Sequence, residues 1–273
     1  MKYITILLLC LSILYGTALG QNSKKTVIVA VSTGLYDSGL LNHLKPLFEK
    51  QSGFTLEFKS IGSGQALKSL TKGEVDAVIT SNRSAEEYIV NSGHSRERTE
   101  FAYTYYLLLG PPEDPAIISG CQDITTAFKK IRSQSNPFVS RGDFSGTNAK
   151  ELTIWKKCGI KPEVLENEKF YIQTGKGSMQ TLLTANSIHA YTLSDYAVYK
   201  TAEANITLKD MQPQLKKDKC IYTILTPDYK KFKKTNYKGA YALKTFLTSK
   251  EAQKTIKNYG VEKYGTQLYY GVN

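Results

Sequence analysis

Cysteine and histidine are too few and too scattered to carry chemistry in this chain of 273 residues. Of 4 cysteines, Cys10 falls inside a leading apolar run, leaving Cys121, Cys158 and Cys220. Their spacing fits no metal motif and allows at most one disulfide, with a Cys121–Cys158 pair left open. His43, His94 and His189 stand apart from one another, with no second ligand at i, i+4, so neither a catalytic zinc site nor a resident cofactor is expected. No run approaches the roughly 20 apolar residues of a membrane-spanning helix. With 20 glycines and no sustained heptads, collagen and coiled coil are excluded. No G-x-S-x-G nucleophile elbow occurs. The segment Gly175-Lys176-Gly177-Ser178 is not a phosphate-binding Walker loop, because Phe170 stands where the first glycine belongs and Gly177 follows the lysine. Asp76 and Asp195 have no paired carboxylate nearby in sequence. The chain is therefore expected not to be an enzyme.

What is present is an exported globular chain. Hydrophobic residues make up 41% and charged residues 22%, which excludes general disorder. Lys2, the apolar run over 4–14 and Ala18-Leu19-Gly20 before Gln21 have the form of a secretory signal peptide over 1–20. Cys10 comes too early in that run for lipidation. The mature chain is expected outside the cytoplasmic membrane, periplasmic or cell-surface. Its formal charge of +12 comes from 36 basic residues, only five of them arginine. The lysine clusters at 216–219 and 230–234 read as solvated faces rather than a groove, and no nucleic-acid partner is expected.

Short β-rich runs alternate with helical ones. Strands are predicted over 26–31, 54–60, 76–80, 103–109, 137–140, 188–193 and 220–225. Asp37-Ser38 offers an N-cap for a helix carrying Leu40, Leu41, Leu44, Leu47 and Phe48, with Gly53 past its end. Further helices are predicted over 64–72, 125–131, 146–158, 179–185, 239–247 and 251–259. Such alternation implies parallel sheets covered by helices, in two α/β lobes joined near 103–109 and 190–200.

Three glycine- and hydroxyl-rich loops each run into a predicted helix: Ser32-Thr33-Gly34, Gly62-Ser63-Gly64, and Ser140-Arg141-Gly142-Asp143-Phe144-Ser145-Gly146-Thr147. Helix N-termini present unpaired N–H groups and partial positive charge, glycine admits close backbone approach, and hydroxyls add rotatable donors. Together with Arg141 they point to an anion site. Arg141-Gly142-Asp143 can also be read as an adhesion tripeptide.

In sequence order, Asp37-Ser38-Gly39-Leu40-Leu41, Leu44-x-Pro46-x-Phe48-Glu49, Gly62-x-Gly64-Gln65-Ala66-Leu67, Gly110-Pro111-x-x-Asp114-Pro115-Ala116, the 138–147 loop and Ala190-Tyr191-Thr192-Leu193-x-Asp195 resemble the tungstate-binding component of bacterial ABC importers. The resemblance covers about 26–268. It implies the two-lobed type II fold of periplasmic oxyanion-binding proteins, each lobe a mainly parallel sheet flanked by helices. Residues 21–103 with 198–273 would form lobe I, and 104–197 lobe II. It implies a monomer that captures a tetrahedral oxyanion, tungstate first and molybdate or phosphate as alternatives, and delivers it to a membrane permease. The ligand residues would be Ser32, Thr33, Ser63, Arg141, Ser145, Gly146 and Thr147, with Asp143 orienting Arg141. The sequence departs from the family at Gly34 and Leu35, where Ser and Thr are usual, at Ser81-Asn82-Arg83, and at Ser178-Met179-Gln180. Two hydroxyl donors would be lost at the cleft and a cation, Arg83, gained. The altered first loop and the lysine-rich C-terminal third support an alternative, a binding-protein fold repurposed as a secreted interaction or adhesion module.

Overall fold

The computed structural model describes residues 25–212 and 217–272. Residues 1–20, expected to be a signal peptide, and Lys216 lie outside them. The strands are β1 (Thr26–Val31), β2 (Thr55–Ser60), β3 (Ala77–Thr80), β4 (Ser95–Gly110), β5 (Phe138–Ser140), β6 (Tyr171–Gln173), β7 (Tyr191–Asp195), β8 (Lys209–Asp210), β9 (Lys219–Pro227) and β10 (Tyr270–Gly271). The helices are α1 (Thr33–Asp37), α2 (Leu40–Ser52), α3 (Ser63–Thr71), α4 (Arg83–Asn91), α5 (Ile124–Ser133), α6 (Gly146–Lys157), α7 (Pro162–Leu165), α8 (Ser178–Ser187), α9 (Tyr196–Ala202), α10 (Tyr237–Leu247), α11 (Lys250–Asn258) and α12 (Val261–Tyr264).

The strand order is β2-β1-β3-β9-β4-β7-β5-β6, with β8 and β10 added on β4. Two parallel blocks, β2-β1-β3 and β7-β5-β6, are joined through antiparallel β9 and β4. The 16-residue β4 belongs to both blocks: its residues 95–105 pair with β9 and its residues 106–109 with β7. It leaves the first block running the same way as β3 and enters the second running against β7. The carboxyl ends of the two parallel blocks therefore face each other, which is where open α/β sheets place their ligands.

Helices cover both faces because the strands alternate sides. On β1, Val27, Val29 and Val31 pack with Leu40, Leu44 and Phe48 of α2, while Ala30 packs with Ala66 and Leu70 of α3 and Val78 of β3. In the second block Trp155 is fully buried among Phe128, Phe138 and Tyr171, its ring centroid 4.6 Å from that of Phe128. On the opposite face Val139 and Leu182 pack with Val198, Ile206 and Leu208, so residues 198–208 join the second block's core.

The expected elements form, with three informative differences. The Asp37-Ser38 cap does not start α2. Residues 33–37 make the separate helix α1, and α2 starts from Gly39, held at φ +84. Ser38 is buried, donating to the Leu35 carbonyl at 2.8 Å and accepting from Tyr269 Oη at 2.7 Å. Asp76 lies just before β3, where it accepts the Ile28 N–H at 2.8 Å and the Asn236 N–H at 2.6 Å. It ties β1 to the start of α10. Cys158 keeps its thiol, which donates to the Thr125 carbonyl at 3.4 Å, so the open pairing with Cys121 is not formed.

Candidate anion site between the strand ends

The loops after β1, β2, β5, β6 and β7 converge where the two blocks face each other. Ser32 and Thr33 follow β1, and Ser63 opens α3 after β2. Arg141 follows β5, Ser178 opens α8 after β6, and Asp195 ends β7. Arg141 is the centre of the cluster and is only 4% exposed. One guanidinium nitrogen donates to Ser178 Oγ. Another donates to Thr33 Oγ1 at 2.8 Å and to Asp143 Oδ2 at 2.5 Å. Thr33 Oγ1 also accepts the Ser178 N–H at 3.1 Å. Residues separated by more than 100 positions thus share one hydrogen-bonded group.

Asp143 is the carboxylate in contact with Arg141. Its other oxygen accepts the Ser145 N–H at 3.2 Å. Ser145 caps α6, accepting the Asn148 N–H at 3.3 Å, which leaves its hydroxyl proton able to donate. Gly146 fits because a Cβ there would lie 2.3 Å from the Ser81 carbonyl oxygen of the first block. Thr147 is buried and lines the same small space as Arg141 and Ser178. Ser63 is fully buried, beside Gly62, where a Cβ would come within 3.5 Å of the Asp143 carbonyl oxygen. Across the rim, Asn82 Nδ2 donates to the Phe144 carbonyl at 3.0 Å. The predicted residues from both halves therefore meet at one junction.

Five buried side-chain nitrogens or oxygens among the described residues have no hydrogen-bond partner. Three belong to this junction: Ser32 Oγ, Ser63 Oγ and Arg141 Nε. A buried unpaired polar atom costs about 1–3 kcal/mol, and these three have bonding capacity left for a group entering the junction.

Two expectations from the family departures are corrected. Leu35 is fully buried in the core, so no hydroxyl is missing from the cleft at that position. A Cβ on Gly34 would lie 2.9 Å from both Ser178 Oγ and Asp195 Oδ2. The Ser178 hydroxyl therefore occupies this space, supplied from the opposite half. Sequence reasoning missed Ser178 as a site residue, although Gly177 before a predicted helix was the available signal. Arg83 does not join Arg141: it opens α4, is largely exposed and pairs with Glu87 at 2.7 Å. Burial of Arg141 also removes the adhesion reading, since a tripeptide with its arginine inside cannot be presented to a receptor.

Two more acids border the cluster. Burial pushes Asp37 above the usual carboxylate range, although the Met179 N–H at 3.2 Å and the Arg141 charge pull it back. Asp195 is pushed up to about 6 by burial, against the Val198 N–H at 2.9 Å and the charge of Arg141.

A family model described as a PBP superfamily domain matches residues 19–259. The chain belongs to the PBP superfamily. Among its superfamily relatives, the tungstate-binding protein TupA of Peptoclostridium acidaminophilum is 35% identical over 252 residues, 90% of this chain and 86% of that protein. The tungstate ABC transporter structure from Geobacter sulfurreducens superimposes with a TM-score of 0.78 at 32% identity, covering 87% of this chain and 100% of that one. TupA from Desulfovibrio alaskensis superimposes with a TM-score of 0.72 at 30% identity, covering 90% and 98%. The two-lobed superfamily fold expected from the sequence is the fold observed.

Proposed function

We propose that this chain is an extracytoplasmic solute-binding protein that captures a tetrahedral oxyanion, tungstate in the first place, and hands it to the permease of an ABC importer. The observation that carries the reading is the buried Arg141 guanidinium, bonded across the junction to Thr33, with unpartnered Ser32 and Ser63 hydroxyls beside it. The names of the relatives support the choice of anion. Arg141 supplies the charge and a planar fork for two anion oxygens. Ser32, Thr33, Ser63, Ser145 and Ser178 supply hydroxyl donors, and Gly146 and Thr147 supply the first N–H groups of α6. Lobe closure around the anion excludes water and strengthens each of these bonds. No bond is made or broken, so the chain acts as a carrier and not as an enzyme. It works as a monomer, its two lobes meeting at the strand ends described above.

A thermal-shift and calorimetry panel of tungstate, molybdate, sulfate and phosphate tests the reading. An anion at 100 times its Kd should stabilise the fold by about 2.7 kcal/mol. Tungstate should lead the series, and phosphate, which carries a proton near neutrality, should trail. No response to any of the four would refute the reading.

A further inference from the structure

Asp195 and Asp37 sit against the Arg141 cluster and have no role in the reading above. Asp195 is 1% exposed. Its Oδ1 caps α9 through the Val198 N–H. Its Oδ2 and Ser178 Oγ each lie 2.9 Å from the one point that a Cβ on Gly34 would occupy. Asp37, from α1, accepts the Met179 N–H at the start of α8. With Asp143, which touches the guanidinium, three carboxyls lie within reach of the one Arg141 charge. Were all ionised, the junction would be net negative before a dianion arrived. The starts of α3, α6 and α8 offset this only in part, at roughly half a charge each. Like charges held close together in a dry site cannot all stay ionised.

We infer that Asp195 is a proton-binding residue of the site, taking up one proton as the dianion enters, so that oxyanion and proton bind together. This rests on the oxyanion reading. Once protonated, Asp195 keeps its cap through Oδ1 and removes one negative charge from beside the ligand. Burial has already pushed its carboxyl up to about 6 in the anion-free chain, and a dianion nearby pushes it further. The groups facing it from the packed elements are Arg141 after β5, Asp37 of α1, Tyr106 of β4, Cys220 and Tyr222 of β9, and Tyr269. Burial raises the three phenols well above their usual range and Cys220 to about 12. These four stay neutral across the working range. Asp37 is the competing acid, and it is only half-buried where Asp195 is enclosed.

The direction follows by linkage. Between the anion-free and anion-bound pKa values, affinity tightens as pH falls, by up to about tenfold per pH unit. Below about 6, where Asp195 is protonated beforehand, affinity levels off.

The test is calorimetric titration of the full mature chain with sodium tungstate between about pH 6 and 9, in paired buffers of different ionisation enthalpy. Sulfate, which takes no proton in that range, is the second probe. The expected result is a buffer-dependent heat approaching one proton per anion, together with the pH slope. Asp195→Asn, which preserves the cap, should lose both and bind more tightly than the wild type at the alkaline end. Asp37→Asn should keep both. Wild-type chain that binds tungstate without buffer dependence overturns the inference and leaves the oxyanion reading intact. Uptake that survives in Asp195→Asn, or vanishes in Asp37→Asn, also overturns it. Should Asp195→Asn fail to fold, the wild type and Asp37→Asn still decide. No heat with either anion overturns the oxyanion reading and this inference together.

Discussion

Replacing Arg141 by alanine is the perturbation with the largest expected effect on ligand capture. The guanidinium is 4% exposed and its partner Asp143 is 10% exposed, so water screens neither charge well. Truncation removes the charge facing the anion. It also leaves Asp143 buried without its partner and takes donors from Thr33 and Ser178. Breaking one side of a buried charge pair at an interface costs 2–5 kcal/mol or more. That corresponds to about 30-fold to several-thousand-fold in Kd, at 1.4 kcal/mol per decade. An exposed pair of the same kind is worth at most about 1 kcal/mol, so the burial is what separates the two outcomes. Arg141→Lys keeps the charge but loses the fork and should fall between wild type and alanine. Because part of the loss comes from the orphaned Asp143, Arg141→Ala combined with Asp143→Asn should recover part of the affinity. Calorimetry with tungstate is the assay, with circular dichroism to show that the variants fold. Wild-type affinity in Arg141→Ala would mean that the anion binds elsewhere.

Other consequences can be measured directly. Gly34→Ala forces a Cβ against Ser178 Oγ and Asp195 Oδ2 and should destabilise the chain by about 1–3 kcal/mol in urea melts; adding Ser178→Gly should relieve only part of this, since Asp195 remains. Glu151 is buried under Ser140, Trp155 and Tyr171, and burial pushes its carboxyl from 4.5 up to about 7. A folded-state pKa above the unfolded one means that stability is present below the unfolded pKa and is lost as pH rises through the folded one. That loss amounts to about 3 kcal/mol. Glu151→Gln should therefore gain up to that amount near pH 8 and almost nothing near pH 4, and equal gains at both would contradict this assignment. Glu86 is fully buried, holding Arg98 through two bonds of 3.1 and 3.0 Å and Thr80 at 2.7 Å. Glu86→Ala should cost about 3 kcal/mol, the low end for a broken buried pair because Arg98 keeps Glu100. A melting temperature unchanged from wild type would refute that estimate.

Local punctuation explains what the sequence made legible. Gly53 and Gly73, both at positive φ, mark the ends of α2 and α3 where expected. The valines of β1 announce a strand buried on both sides. Ser32, Thr33, Ser63 and Arg141 stood out because donors before helix starts are rare in such density. What escaped depended on distant contacts. Ser38 looked like a cap, but tyrosines more than 200 positions later bury it, and a Cβ on Gly39 would meet Tyr259 Oη at 2.7 Å. Helix α4 went unread, although Asn82 caps it and Ala85, Ile89 and Val90 pack it on the core. Ser178 looked like a mere departure from the family because its hydroxyl serves a group on the other half. Asp195 looked solitary because its neighbours, Gly34 and Arg141, come from other loops.

The position of β9 governs the order in which the molecule can be completed during synthesis. This strand lies between β3 and β4, with Thr80 opposite Thr223 and Glu100 opposite the same residue on the other side. Until the last quarter of the chain has emerged, two strands made early are left with open edges that invite mispairing. Contacts of such long sequence separation form slowly. The second block, continuous between β5 and β7, can assemble while the first waits. The first block therefore closes last, when the C-terminal portion supplies the strand that seals both of its open edges.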